Sequence, residues 1–239
     1  MPFLRGWVYL PAQERPGTVA FVVMTNDRWN QTMSQVGVLP IRASVEPFDA
    51  PHSVKLADGT YLVASRLVAP RVAPDAEPVL GVTRGALAPD VLAAAEDRLC
   101  AFLQLPELLA PTPRVARPVG DATRYAVWGE IYRAGPRVEG ERKRRIVVSP
   151  NPWNAVSGMA TFVRTTSAFK ADAIEFPRIQ RGAARACCGD ATTFSLGEVL
   201  TNPRDRPAPH TTTMGEMVQV ARGLVATHDL GAAVRRPIA

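Results

Sequence analysis

Short β-branched runs dominate the chain, and only two stretches repeat their apolar positions at helical spacing. The first half begins with a short strand (Gly6–Leu10), followed by a β-branched run (Val19–Met24) and, after a loop, a further strand (Val36–Ile41). In "ADGTYLVASRLV" (Ala57–Val68) the Asp-Gly pair predicts a hairpin turn between extended segments. Leu92, Ala95, Leu99, Phe102 and Leu103 then fall on one face of a helix that Pro89 can open. The second half repeats this order, with strands at Glu130–Arg133, Arg145–Ser149 and Ala160–Thr165. Its closing helix is announced by "TMGE" (Thr213–Glu216), a capping box in which the Thr hydroxyl and Glu carboxylate bond free first-turn amides. Met217, Val220 and Leu224 form its apolar stripe, and both stripes read as core contacts.

The repetition extends to residue pairs. Trp29–Asn30 and Trp153–Asn154 lie 124 positions apart. At that offset Val38–Leu39 falls on Phe162–Val163 and Ala64–Ser65 on Cys188–Gly189, while "GWVY" (Gly6–Tyr9) sits opposite "GEIY" (Gly129–Tyr132) at offset 123. Two copies of one small domain are expected, residues 1–105 and 124–239. The Pro-rich stretch 106–123 would be a linker between them. A β-rich unit of roughly 110 residues with one terminal helix predicts a small barrel or curled sheet, and two joined copies predict a fused pseudo-dimer.

Composition adds boundaries. The 239 residues are 46% hydrophobic and 21% charged, with no apolar run near the length of a bilayer span and no basic-then-apolar leader. A cytoplasmic protein without a membrane partner is expected. Three cysteines, two adjacent (Cys187, Cys188), read as buried thiols, and His52, His210 and His228 share no ligand spacing, so neither a metal nor a cofactor is expected. Residues 1–105 carry nine basic and ten acidic side chains, whereas residues 106–239 carry 19 and 12. A basic half fits a polyanionic partner. The support is weak, because only three of the 28 basic residues are lysines, a skew that codon composition alone can produce.

The candidate chemistry lies in "RRIVVSPNPWNAVSGMATFVRTTS" (Arg144–Ser167), where one strand begins in guanidinium groups and the next ends in hydroxyls. "GEIY", "IVVSPNPWNAVSGM" and "FVRTTS", in this order, resemble the MazF/PemK/Kid-like toxins of bacterial toxin–antitoxin systems. "RGALAPDVLAAAEDRLCAFL" (Arg84–Leu103) resembles the closing helix of that family. The resemblance covers most of both copies and rests on the joint order of the pieces. It implies a mainly β fold with helices: two tandem SH3-like barrels, each with a C-terminal helix, forming an intramolecular pseudo-dimer that needs no second chain. It also implies metal-independent cleavage of single-stranded RNA and an antitoxin partner.

By the same resemblance the catalytic Arg falls on Arg144, with Lys143 and Arg145 as neighbouring registers. The catalytic Thr falls on Thr166, with Thr165 beside it, and Glu139 is the candidate loop acid. Lys143, Arg145, Arg164, Thr165 and Asn154 are expected to contact substrate. A guanidinium and a hydroxyl meeting at one phosphate would stabilise the charge that builds when the 2′-hydroxyl attacks phosphorus. The bland reading makes "ERKRR" (Glu141–Arg145) a solvated loop and the threonines simple β-formers. Thr166 falls on Arg42 at the repeat offset, so the first copy lacks the hydroxyl and a single site is expected. Two rival functions stay open: a non-catalytic binder of nucleic acid or an antitoxin-like peptide, and, ranked last, a CcdB-like gyrase poison, whose relatives end in Trp-Gly-Ile where this chain has "VRRPIA".

Overall fold

The computed structural model describes residues 3–72, 79–112, 125–138, 141–167, 173–179, 184–196 and 211–235. Strands β1 (Trp7–Pro11), β2 (Thr18–Val23), β3 (Val38–Arg42), β4 (Ser53–Lys55), β5 (Tyr61–Val63) and β6 (Leu80–Ala86) form one antiparallel sheet in the order β4-β5-β3-β2-β1-β6. Strands β7 (Ile131–Val138), β8 (Glu141–Val147), β9 (Met159–Thr166), β10 (Arg178–Ile179) and β11 (Ala184–Ser195) form a second, in the order β10-β11-β9-β8-β7. Helices α1 (Asp27–Thr32), α2 (Pro89–Phe102), α3 (Leu105–Leu108), α4 (Asn151–Ser157), α5 (Met214–His228) and α6 (Gly231–Arg235) complete the described chain. The protein is thus sheet-rich with helices, each sheet built by one half of the sequence. No helix among the described residues is long and apolar enough to cross a membrane.

The Trp-Asn dipeptides, read from sequence as loop, sit inside α1 and α4. Asn26 explains the first: its side chain accepts the Trp29 amide at 2.8 Å and caps the helix. Gly158, at φ +63°, ends α4 in the left-handed conformation that glycine adopts without strain. Each dipeptide anchors the same hydrogen-bond arrangement. Thr25 Oγ1 donates to Asn30 Oδ1 at 2.5 Å, the Gly37 amide donates to Thr25 Oγ1, and Asn30 Nδ2 donates to the carbonyls of Phe3 and Thr25. At the repeat offset Ser149 Oγ donates to Asn154 Oδ1 at 2.5 Å, the Thr161 amide donates to Ser149 Oγ, and Asn154 Nδ2 donates to Ala126 and Ser149. Both asparagines are buried. Truncating either leaves buried carbonyls and a hydroxyl without partners, at roughly 1–3 kcal/mol per stranded group. Asn30→Ala and Asn154→Ala should therefore lower the urea midpoint by similar amounts. A cost at one site alone would show that the two arrangements are not energetically equivalent.

The main core runs through both halves. Val22, Leu39, Leu62, Leu99 and Phe102 belong to the same buried cluster as Ile131, Ile146, Val163, Met217 and Leu224. The presumed linker starts inside it: Leu105 and Leu108 of α3 are buried. The expected boundaries at 105/106 therefore do not separate independent cores. Residues 113–124 lie outside the described chain. The halves also meet through backbone: the Thr193 amide donates to Leu67 O at 2.8 Å, and the Ala69 amide to Thr192 Oγ1 at 3.2 Å.

The C-terminal carbonyls of α5, which have no acceptor role inside the helix, take donors from the first half. Asn26 bonds the carbonyls of Ala226 and Thr227 through its side chain and amide, and the Arg5 guanidinium bonds His228 O and Glu96. His228 itself is fully buried, with Nδ1 3.1 Å from Leu224 O. Burial pushes its pKa down from 6.5 to about 4, against the opposing backbone bond. The unfolded chain therefore binds a proton in a pH range where the folded chain does not. The stability this difference governs is complete above pH 6.5 and falls as pH drops towards about 4, by about 3 kcal/mol in all. Denaturant midpoints at pH 7 and pH 4.5 should differ more for the natural protein than for His228→Leu.

Candidate functional site

Register decides which of the sequence candidates can meet. In β8 and β9 Arg145 pairs with Arg164, Ile146 with Val163 and Val147 with Phe162. Successive side chains alternate between faces. Ile146 and Val163 enter the shared core, whereas Val147 and Phe162 enter a separate cluster on the other face with Tyr132, Ala160 and Leu196. Arg145 and Arg164 belong to that second face, and so does Thr166, two residues along β9 from Arg164. Arg144 belongs to the opposite side with Thr165.

The pair favoured from sequence, Arg144 and Thr166, is therefore divided by the sheet, because a shift of one residue reverses every side chain. Arg144 is exposed, and Thr165 is buried and donates its hydroxyl to Arg144 O at 3.1 Å. Asn154 is fully buried within the α4 arrangement, where its amide is engaged with backbone and Ser149; it holds the loop and is not available to a substrate. Lys143 lies in β8 opposite Ala134, but its side chain is outside the described residues, and so is Glu139 entirely.

What the second face does gather is a group of arginines. Thr166 pairs with Arg185, and Arg185 with Arg178, so these share the face of Arg164. Arg185 is buried and donates from Nη1 to Phe176 O at 3.1 Å, while Arg178 is exposed. Arg145 and Arg164 converge on Asp190, a residue no sequence argument had singled out. Arg145 Nη1 lies 3.3 Å from Oδ1, and Arg164 Nε lies 2.5 Å from Oδ2, an ion pair without the alignment of a hydrogen bond. The Asp190 side chain is 2% exposed, that of Arg145 9% and that of Arg164 29%. One carboxylate thus faces two guanidiniums, and of the pair Arg164 is the one open to solvent. Arg145 also lies over the Phe194 ring, 5.0 Å from its centroid.

Asp190 reaches this position because β11 breaks register between Cys187, opposite Arg164, and Ala191, opposite Val163. The bulge turns the strand and re-aims the carboxylate. Its signal in the sequence is Gly189, since a glycine inside a β-rich run marks a bulge or a close approach. Cys187, beside Arg164, is buried; burial raises its thiol pKa to about 11, and the neighbouring guanidiniums only partly oppose the rise, which disfavours the thiolate.

The first half carries a buried carboxylate of its own, Asp49. Asp49 accepts Ser65 Oγ at 2.5 Å and Trp153 Nε1 at 3.3 Å, and pairs with Arg66 Nε at 2.7 Å. At the repeat offset Asp49, Ser65 and Arg66 correspond to Ala173, Gly189 and Asp190. Asp49 thus pairs with the Arg66 guanidinium, whereas Asp190 faces two. No protein-family model matches the chain, and no curated protein matches it.

Proposed function

We propose that the chain is a MazF/PemK/Kid-like toxin in which two SH3-like barrels form an intramolecular pseudo-dimer, and that it cleaves single-stranded RNA at one site in the second half. The duplicated arrangement around Asn30 and Asn154 supports the pseudo-dimer. The observation that carries the activity is the positive face of β8, β9 and β11, where Arg164 stands partly open beside Thr166.

In this reading the phosphate contacts Arg164 and Thr166, two residues and about 7 Å apart along β9. Arg145, held by Asp190 beneath, supplies a fixed positive field. The RNA 2′-oxygen forms a bond to phosphorus and loses its proton to a base. The bond from phosphorus to the 5′-oxygen breaks, and that oxygen takes up a proton. The products are a 2′,3′-cyclic phosphate and a 5′-hydroxyl. Arg164 and the Thr166 hydroxyl stabilise the charge on the non-bridging oxygens. Glu139 remains the candidate base.

The burial of Arg145 favours a second reading, a protein that binds RNA through this face without cutting it. Incubating the purified chain with a mixed RNA pool in chelator separates them. Fragments ending in cyclic phosphate support the nuclease. Intact RNA retained on the protein, with affinity falling steeply in salt, supports the binder. RNA neither cut nor bound sinks both.

A further inference from the structure

The bulge that carries Asp190 is held from the other half of the chain. The neighbour of Asp190 is Gly189, and a Cβ built there would lie 2.1 Å from Cε2, 2.3 Å from Cζ2 and 2.6 Å from Nε1 of Trp29. The indole therefore lies directly against the backbone of the bulge. It is fixed on its other sides: Nε1 donates to Gln35 O at 3.0 Å, and the ring stacks on Phe176 at 5.3 Å in a cluster with Cys187. Helix α1, which carries Trp29, is in turn tied to the end of α5 by Asn26. The equivalent Trp153 spends its Nε1 on the Asp49 carboxylate. At the position matching Asp49 the second half has Ala173, which packs against the Trp29 cluster without a side-chain acceptor, and the indole of Trp29 donates to Gln35 O instead.

We propose that Trp29 is a positioning residue for the anion site: by bracing Gly189 from the first half, it holds Asp190 between Arg145 and Arg164 and keeps the guanidinium of Arg164 turned to the substrate. The first half thereby sets the geometry of the site in the second. The inference concerns the same site as the proposed RNA chemistry, but its main test does not need that chemistry.

The test uses Gly189→Ala, Trp29→Ala and Trp29→Phe. The Nε–H resonances of Arg145 and Arg164, assigned by nitrogen-15 NMR, report their contact with Asp190. Gly189→Ala should shift both signals, because the added methyl cannot coexist with the indole. Trp29→Ala, which removes the brace, should shift both as well. Trp29→Phe, which keeps a flat ring against Gly189, should move them less than Trp29→Ala. A Trp29→Ala protein with arginine signals at their natural positions overturns the proposal. So does a Gly189→Ala protein with unshifted arginine signals.

A fluorescent single-stranded 12-mer RNA gives the second readout. Gly189→Ala and Trp29→Ala should each bind it about tenfold more weakly, with a salt slope reduced by about 0.7, the loss of one phosphate contact, and Trp29→Phe should lose less of both. If the natural protein binds no RNA, the functional reading fails while the NMR comparison still decides the role of Trp29.

Discussion

Replacing Asp190 with alanine is expected to lower the unfolding free energy by about 3–5 kcal/mol, the usual cost of leaving a buried charge without its partner. The side chain is 2% exposed and faces two guanidiniums, of which Arg145 is itself 9% exposed. Arg164 can swing towards water when the carboxylate goes. Arg145 has the Phe194 ring above it and the sheet beneath, and has less freedom to follow. The lower end of the range is therefore expected. For a chain of this size that corresponds to a fall in melting temperature of about 10 °C. Combining Asp190→Ala with Arg145→Leu removes the stranded charge along with its partner and should recover most of the loss. A single-variant cost below about 1 kcal/mol would show that water already reaches the cluster and that the ion pairs act as surface pairs do.

The second large effect is kinetic and depends on the proposed nuclease. Arg164→Ala should reduce the cleavage rate by about 10²–10³, the usual consequence of deleting a preorganised donor to a developing anion. Thr166→Ala, which removes a neutral donor from the same face, should cost less. Arg144→Ala should stay within a few-fold of the natural protein, because Arg144 stands on the other side of the sheet. Single-turnover rates at saturating RNA measure these losses without confusing them with weaker binding. The comparison is directional. If Arg144→Ala abolishes cleavage and Arg164→Ala does not, the reacting phosphate sits on the core-facing side of β8 and β9, and the site drawn here is wrong.

The anatomy of this cluster also explains what a reader of the sequence can and cannot see. Arg145 and Arg164 are both visible in the quoted stretch from Arg144 to Ser167. Nothing local says that they pair, since β8 and β9 are joined through α4 and a slip of one residue would have put Arg144 in the same place. Asp190 lies 45 positions from Arg145 and enters only because β11 bulges. Trp29 is further still, and its contact with Gly189 exists only after two half-chains have folded against each other.

By itself the sequence determined the local elements and their repetition. Glycines, capping residues and β-branched runs act through the few residues on either side, and so the capping box at Thr213, the helix from Pro89 and the 124-residue offset are legible without coordinates. The helices over the Trp-Asn dipeptides are not legible in the same way: they are six and seven residues long, too short for a repeating apolar face, and α4 has Pro150 at its N-cap position and no side-chain cap. Tertiary structure alone decided strand register, the common core that absorbs the start of the presumed linker, and the choice of which arginines face one carboxylate. These depend on contacts between residues distant in the chain, where a shift of one position exchanges buried and exposed side chains and carries a charged group to the other face of the sheet.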